Sequence, residues 1–494
     1  MVKQPRPNRT LDRDLKSRAS LEQAASATRR QFLAPSIAFA FILIAGLIAS
    51  LVLGWNSDSY IIIAATAVGA YMALNIGAND VANNVGPAVG SKALSMFGAL
   101  IIAAVFESAG ALLAGGDVVG TISKGIIDPS TIGDPQVFIW VMFAALISAA
   151  VWVNLATWIG APVSTTHSVV GGVLGSGIAA VGMAAVNWPK MGQIAASWVV
   201  SPMLGGIIAA LFLWFIKSKI SDKEDKIAAA RRWVPVLIAI MAGVFSAYLA
   251  VKGFKKIVEI DLQSALILGA VVSVSAYLIM KPMIFKMSEG KENTKKTIRG
   301  LFKVPLIFAA ALLSFAHGAN DVANAIGPLA AIVHTVEVGE IVSKVEIPIW
   351  VMVVGAFGIS FGLLLFGPKL IRLVGEQITK LNPLRAYCVA LSAAITVIIA
   401  SWLGLPVSST HIAVGAVFGV GFFREAHWRI TSSKKTVAAV MVTEAKKSST
   451  PKRKHRKLVR RSHLMTIIAA WIITVPAAAL ISAILFIVLT KLVG

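Results

Sequence analysis

Two aspartates lie at the centres of long apolar runs. Asp80 and Asp321 sit within the heptapeptide Gly-Ala-Asn-Asp-Val-Ala-Asn, which occurs at 77–83 and again at 318–324. An Asp at the middle of a membrane helix costs roughly 2.5–3.5 kcal/mol on insertion scales, so a retained one marks a functional site or a partner. Amides flank both: Asn79 and Asn83 in the first copy, Asn320 and Asn324 in the second. Residues four apart share a helix face, which sets amide donors beside each carboxylate. Such a group suits an oxyanion bound together with a cation, the amides donating to the anion and the carboxylates holding the cation or a proton. A competing assignment makes each Asp only a cap on a helix fragment.

A second repeated motif supplies hydroxyls. Ser164, Thr165 and Thr166 follow Pro162, and Ser408, Ser409 and Thr410 follow Pro406. A proline ends one helix and precedes the N-terminus of another, where free backbone N–H groups and the positive end of the dipole favour an anion. The alternative is ordinary hydroxyl bonding to the carbonyl four residues back. Neither motif contains Lys or Arg, so a bound anion is held by neutral donors that permit release. The nearby carboxylates disfavour a fully deprotonated oxyanion such as sulfate but accept a hydrogen bond from a protonated one such as phosphate. His167 and His411 end the two triplets as proton relays or structural histidines. His317 precedes the second heptapeptide where the first has Ile76, and reads as accessory. Glu107, alone in its apolar run, joins the Asp pair as a candidate for cation coupling.

The surrounding chain is an all-α, polytopic membrane protein. Of 494 residues, 57% are hydrophobic and 14% charged, against about 25% charged in soluble domains. A helix needs roughly 20 apolar residues to cross the bilayer core, and thirteen segments qualify, near 33–53, 60–91, 93–114, 137–160, 163–186, 193–216, 233–253, 263–285, 304–332, 348–366, 385–404, 406–422 and 465–492. The expectation is therefore 12–13 membrane segments. The runs 60–91 and 304–332 carry Gly and Pro and read as discontinuous helices, whereas 163–186 and 406–422 either span or re-enter. The net charge of +23 lies in loops between apolar runs, without interleaved aromatic residues, which argues against nucleic acid. It matches the positive-inside pattern with the N-terminus in the cytoplasm. Cys388 is the single cysteine, so no intramolecular disulfide exists.

The heptapeptides are 241 residues apart (77 to 318) and the hydroxyl motifs 244 (158 to 402), which marks an internal duplication. Seven segment steps separate the copies, so the repeats are inverted, with the site near the midplane where they meet. The expected organisation is a disordered basic cytoplasmic tail 1–32, an extra helix 33–56, repeat 1 at 57–216, linking helices and loops 217–303, and repeat 2 at 304–494 with a basic loop 423–463. No nucleophile elbow, HExxH or P-loop is present, which argues against an enzyme.

GANDVANNVGP with GANDVANAIGP, and PVSTTH with PVSSTH, resemble the inorganic phosphate transporter family of the Pit type over roughly residues 60 to 494. The resemblance implies low-affinity uptake of inorganic phosphate by secondary active symport, with alternating access and H+ or Na+ as the coupling ion. In some members phosphate travels with a divalent metal. It also implies phosphate binding by Asn79, Asn83, Ser164, Thr165, Thr166, Asn320, Asn324, Ser408, Ser409 and Thr410, beside Asp80 and Asp321. No cofactor is implied; a multi-pass place in the inner membrane and a homodimer are. Sulfate symport, and more remotely an anion channel, remain the alternatives.

Overall fold

The computed structural model describes residues 32–54, 59–128, 131–161, 163–253, 260–341, 347–377, 381–442 and 461–493. The tail 1–31, Pro162 and the part of the basic loop at 443–460 lie outside the described residues. Sixteen helices follow: α1 (Phe32–Leu53), α2 (Ser59–Gly90), α3 (Met96–Ala114), α4 (Gly116–Lys124), α5 (Pro135–Ile159), α6 (Thr165–Val181), α7 (Trp188–Ile216), α8 (Lys226–Tyr248), α9 (Leu262–Ser288), α10 (Lys295–Leu301), α11 (Lys303–Asp321), α12 (Ala323–Val338), α13 (Ile349–Gln377), α14 (Pro383–Trp402), α15 (Ser409–Val442) and α16 (Arg461–Val493). Short π-helical turns extend α7 and α8, at Lys217–Ser221 and Leu249–Gly253.

Local chemistry sets the ends of these helices. Asp134 caps α5 by accepting a hydrogen bond from the Gln136 N–H at 2.8 Å, with Pro135 as first residue, and Gly160 closes the helix at φ +81°, a left-handed conformation glycine adopts without strain. At the start of α9, Asp261 accepts from Ser264 N–H at 3.1 Å, and the Ser264 hydroxyl first, then this backbone bond, hold its exposed carboxyl below the usual carboxylate range.

Eleven helical stretches among the described residues are long and apolar enough to cross a membrane. Their burial is inverted relative to a soluble protein: Glu107 and His317 are 0% exposed, whereas Val244 is 67% and Leu480 64% exposed. Only lipid accepts such a surface. The chain is therefore a multi-pass membrane protein.

Several segments differ from expectation. The run 60–91 is one continuous helix, because Pro87 stands in its last turn, where it disturbs little of what precedes it. The run 304–332 shows only a one-residue irregularity at Val322, between α11 and α12, where the backbone stays right-handed helical. The run 163–186 holds the 17-residue α6, at the short end of the range that crosses a bilayer, and 406–422 forms only the first part of the 34-residue α15.

The two repeats exchange packing partners. α2 lies along α13 and α11 along α3; α6 lies along α16 and α15 along α7. The crossings fall at glycines whose missing side chains admit a neighbouring backbone. A Cβ at Gly77 would strike the Ile359 backbone, and one at Gly318 the Glu107 backbone. Likewise Gly171 and Gly175 face Val475 and Ala479, while Gly415 and Gly419 face Pro202 and Gly206. These pairs relate α3 to α13 by 252 residues (107 to 359) and α7 to α16 by 273 (202 to 475), correspondences too divergent to read from sequence. On the pseudo-two-fold axis, equivalent residues touch. The hydroxyls of Ser108 and Ser360 are 2.6 Å apart, and the rings of His167 and His411 meet edge to face at 4.5 Å.

Candidate functional site

The interleaved helices bring the candidate residues of both repeats into one buried cluster. α2 carries Asn79, Asp80 and Asn83; α11 carries Asn320 and Asp321; α12 carries Asn324; the N-termini of α6 and α15 carry the hydroxyl triplets. All twelve are less than 10% exposed. Pro87 and Pro328 stand four residues after Asn83 and Asn324. A proline has no N–H to give the carbonyl four residues back, so both asparagine carbonyls are released from the helical ladder at the site.

Asp80 accepts hydrogen bonds from both repeats, from Thr165 Oγ1 at 3.1 Å and Thr410 Oγ1 at 3.0 Å. Asp321 accepts from Ser409 Oγ at 3.1 Å, the equivalent of Thr165 in the other repeat. Asn83 Nδ2 donates to Thr410 Oγ1 at 2.8 Å, and Asn324 Nδ2 donates to Thr166 Oγ1 at 3.1 Å and to Thr165 Oγ1 at 3.2 Å. The outer asparagines tie the motif to its own repeat. The Asn79 amide lies 2.8 Å from Thr157 Oγ1, and Asn320 Nδ2 donates to Ser401 Oγ at 3.0 Å while its Oδ1 accepts from the Val407 N–H at 3.2 Å. Ser164 and Ser408 act as N-caps, their Oγ atoms accepting from the N–H of His167 and His411 at 3.1 and 3.3 Å. Thr166 Oγ1 donates to the Val407 carbonyl at 2.9 Å. Among these twelve, two buried oxygens, Asp321 Oδ1 and Asn324 Oδ1, have no hydrogen-bond partner.

Sequence reasoning ranked one residue too low and missed another. His317, expected to be accessory, lies among the carboxylates: its Nε2 is 2.9 Å from Asp321 Oδ2 and 3.8 Å from Asp80 Oδ2, and its Nδ1 is 3.3 Å from Glu107 Oε2. Asn84 donates from Nδ2 to Glu107 Oε1 at 2.8 Å. Glu107 thus joins the site through His317 and Asn84. These three residues break the pseudo-symmetry, because their equivalents in the other repeat are Ile359, Ile76 and Ala325. For His317 and Asn84, which adjoin the aligned heptapeptides, that polar-for-apolar exchange is the signal that picks them out. Asp80, His317 and Asp321 each offer one ligand atom, all within 4.8 Å of one another, a set able to hold a cation.

Removing the Asn84 amide leaves a buried Glu107 oxygen without its donor, which costs about 1–3 kcal/mol. Asn84→Ala should therefore lower the thermal midpoint of the purified protein by several degrees, whereas Asn84→Gln retains part of the loss-prone bond. An Asn84→Ala midpoint equal to wild type would show that the amide contributes nothing.

The fold and its site have counterparts among known proteins. Residues 76–482 match the model of the Phosphate transporter family. A protein of Helicobacter pylori named as a phosphate permease is 46% identical, the alignment spanning 96% of this chain and 98% of that one. One of Pyrococcus abyssi with the same name is 38% identical over 85% of this chain and 95% of its own. A solved structure titled "The sodium-dependent phosphate transporter" superposes with a TM-score of 0.78 at 35% identity, covering 88% of this chain and all of that one. The family match spans both heptapeptides and both hydroxyl motifs, the same segments that meet at the pseudo-two-fold axis. By its sequence and its fold alike, this chain belongs to the phosphate transporter family.

Proposed function

We propose that the chain carries inorganic phosphate across the inner membrane as a cation-coupled symporter, with its N-terminus in the cytoplasm and its binding site alternating in access between inverted repeats. The observation that carries this reading is the double allegiance of the hydroxyls. Thr165, Ser409 and Thr410 are the natural donors to a phosphate oxygen, yet each donates to Asp80 or Asp321. A cation bound between these carboxylates competes for their lone pairs and frees the hydroxyls to turn toward an anion. The cation's charge also offsets that of the phosphate, which the carboxylates otherwise repel. Binding of the two ions is thereby mutually favourable, and neither alone satisfies the cluster. Phosphate suits this site because a protonated oxyanion can donate to a carboxylate as well as accept from hydroxyls and amides.

Sodium is the favoured coupling ion, since a structurally similar transporter is sodium-dependent and the carboxylate, hydroxyl and carbonyl oxygens are hard ligands. Proteoliposomes with an inward sodium gradient should accumulate radiolabelled phosphate above equilibrium, and collapse of that gradient should abolish accumulation. Accumulation that persists without sodium and stops with a protonophore would assign the proton instead. Downhill flux that ignores both gradients would overturn symport, and excess sulfate that blocks uptake as well as phosphate does would overturn the substrate.

A further inference from the structure

A group of basic residues lies at the ends of α14 and α15 remote from the site. Ser401 and Thr410 belong to the cluster described above, whereas Arg385 stands in the first turn of α14 and Arg424 lies well along α15. At 1.5 Å per residue, Arg385 is about 24 Å from Ser401 and Arg424 about 21 Å from Thr410 along their helices. Arg299 on α10 joins them, as α10 packs against α14 through the ring pair Phe302–Tyr387 at 5.5 Å. Lys217, at the end of α7, sits 5.9 Å over the Phe423 ring, one residue from Arg424. Arg385 is within electrostatic reach of Arg299 and Arg424, Arg424 of Arg299, and Lys217 of Arg385, Arg424 and Lys295.

The negative charge facing this group is too small to balance it. Asp222 stands near Lys217 and pairs with Lys295 at 3.7 Å, and Glu425 neighbours Arg424. Among the described residues, five cations therefore face two carboxylates. Among the described residues, none of the guanidiniums of Arg299, Arg385 and Arg424 makes a hydrogen bond or ion pair, although Arg385 and Arg424 are half-buried. Each carries five N–H donors in a planar fork that matches a phosphate group. Arg385 adds its charge to the positive end of the α14 dipole, an unfavourable placement that a bound anion relieves.

We propose that Arg299, Arg385 and Arg424 form a second anion site that binds a phosphate group, carried either by an anionic lipid headgroup or by free inorganic phosphate. The three arginines stand on α10, α14 and α15, with α14 packed against both of the others, so a phosphate group held among them would bridge those helices. α14 and α15 also carry the transport-site residues Ser401, Ser409 and Thr410 at their other ends, so occupancy of this site steadies helices that line the first.

The test compares the full chain, purified in neutral detergent, with the triple variant R299Q/R385Q/R424Q. One arm reconstitutes each into nanodiscs of phosphatidylcholine alone or mixed with phosphatidylglycerol and reads the thermal midpoint. The other measures the equivalents of radiolabelled inorganic phosphate bound at equilibrium in detergent. With a lipid headgroup as ligand, phosphatidylglycerol stabilises the wild type and the triple variant loses that stabilisation. With free phosphate as ligand, the triple variant binds one equivalent fewer while keeping the transport-site equivalent. A monodisperse triple variant that retains both the wild-type lipid response and the wild-type phosphate equivalents overturns the site. Should the triple variant fail to fold, single Arg→Lys variants keep the charge but lose the fork, and each should bind its ligand about tenfold more weakly. Unchanged binding in all three overturns the proposal equally.

Discussion

Asp80→Asn is expected to abolish cation-driven accumulation of phosphate while sparing the fold. The carboxylate joins the two repeats, accepting from Thr165 of the first and Thr410 of the second, and faces the His317 ring at 3.8 Å. Asparagine is the same size and retains one acceptor oxygen, so the packing of this fully buried position is kept. Lost are the charge and the second acceptor. Breaking one partner of a buried charged network costs about 3–5 kcal/mol, or roughly a hundredfold to several thousandfold in an equilibrium, and the loss falls on the cation. Initial rates in proteoliposomes under an inward gradient should drop by at least about two orders of magnitude. Phosphate counterflow at equal cation concentration should fall less, because the hydroxyls of Thr165 and Thr410 then turn to the anion. Wild-type accumulation by Asp80→Asn would remove Asp80 from the coupling site.

Gly318→Val should prevent assembly of the protein, an effect of a different kind. This glycine opens the second heptapeptide, yet it offers no chemistry to a ligand. Its position is set by α3: any Cβ there would overlap the carbonyl, carbon and Cα of Glu107. Overpacking against movable side chains typically costs about 1–3 kcal/mol, and here the obstacle is helix backbone, which yields only if the helices part. Because α3 also positions Glu107 and α11 positions Asp321, parting them disperses the site. The variant should be lost from the monodisperse peak in detergent size-exclusion chromatography, with Gly318→Ala intermediate. A Gly318→Val protein with the wild-type elution profile and transport rate would refute the close crossing.

The clustering of the candidate residues was legible because the motifs are written twice. Two heptapeptides and two hydroxyl triplets identify twelve residues, and the structure gathers all of them at one centre. Glu107 was singled out as a lone membrane carboxylate, but its partners resisted reading. Glu107 stands alone among apolar neighbours, and its partners Asn84 and His317 lie 23 residues before it and 210 residues after it in sequence, so no local pattern joins them. Hydropathy located most crossings, since lipid imposes nearly the same length on each. It left 163–186 open between spanning and re-entering, and the helix there, α6, has only 17 residues. It also took glycine and proline in α2 for a break. There Gly77 admits the backbone of α13 and Pro87 falls in the last turn.

The exchange of helices between repeats bears on how the protein is made. α2 finds its long partner α13 only after Ile359 has been synthesised, 282 residues after Gly77. At about 5–20 residues per second, the ribosome leaves α2 waiting for roughly a quarter of a minute to a minute, with Asp80 already in the bilayer and Thr410 not yet translated. During that interval the nascent chain holds a membrane-embedded carboxylate without its second-repeat donor. Biogenesis therefore needs either a chaperone at the insertion site that shelters α2 or a delay in its release into lipid.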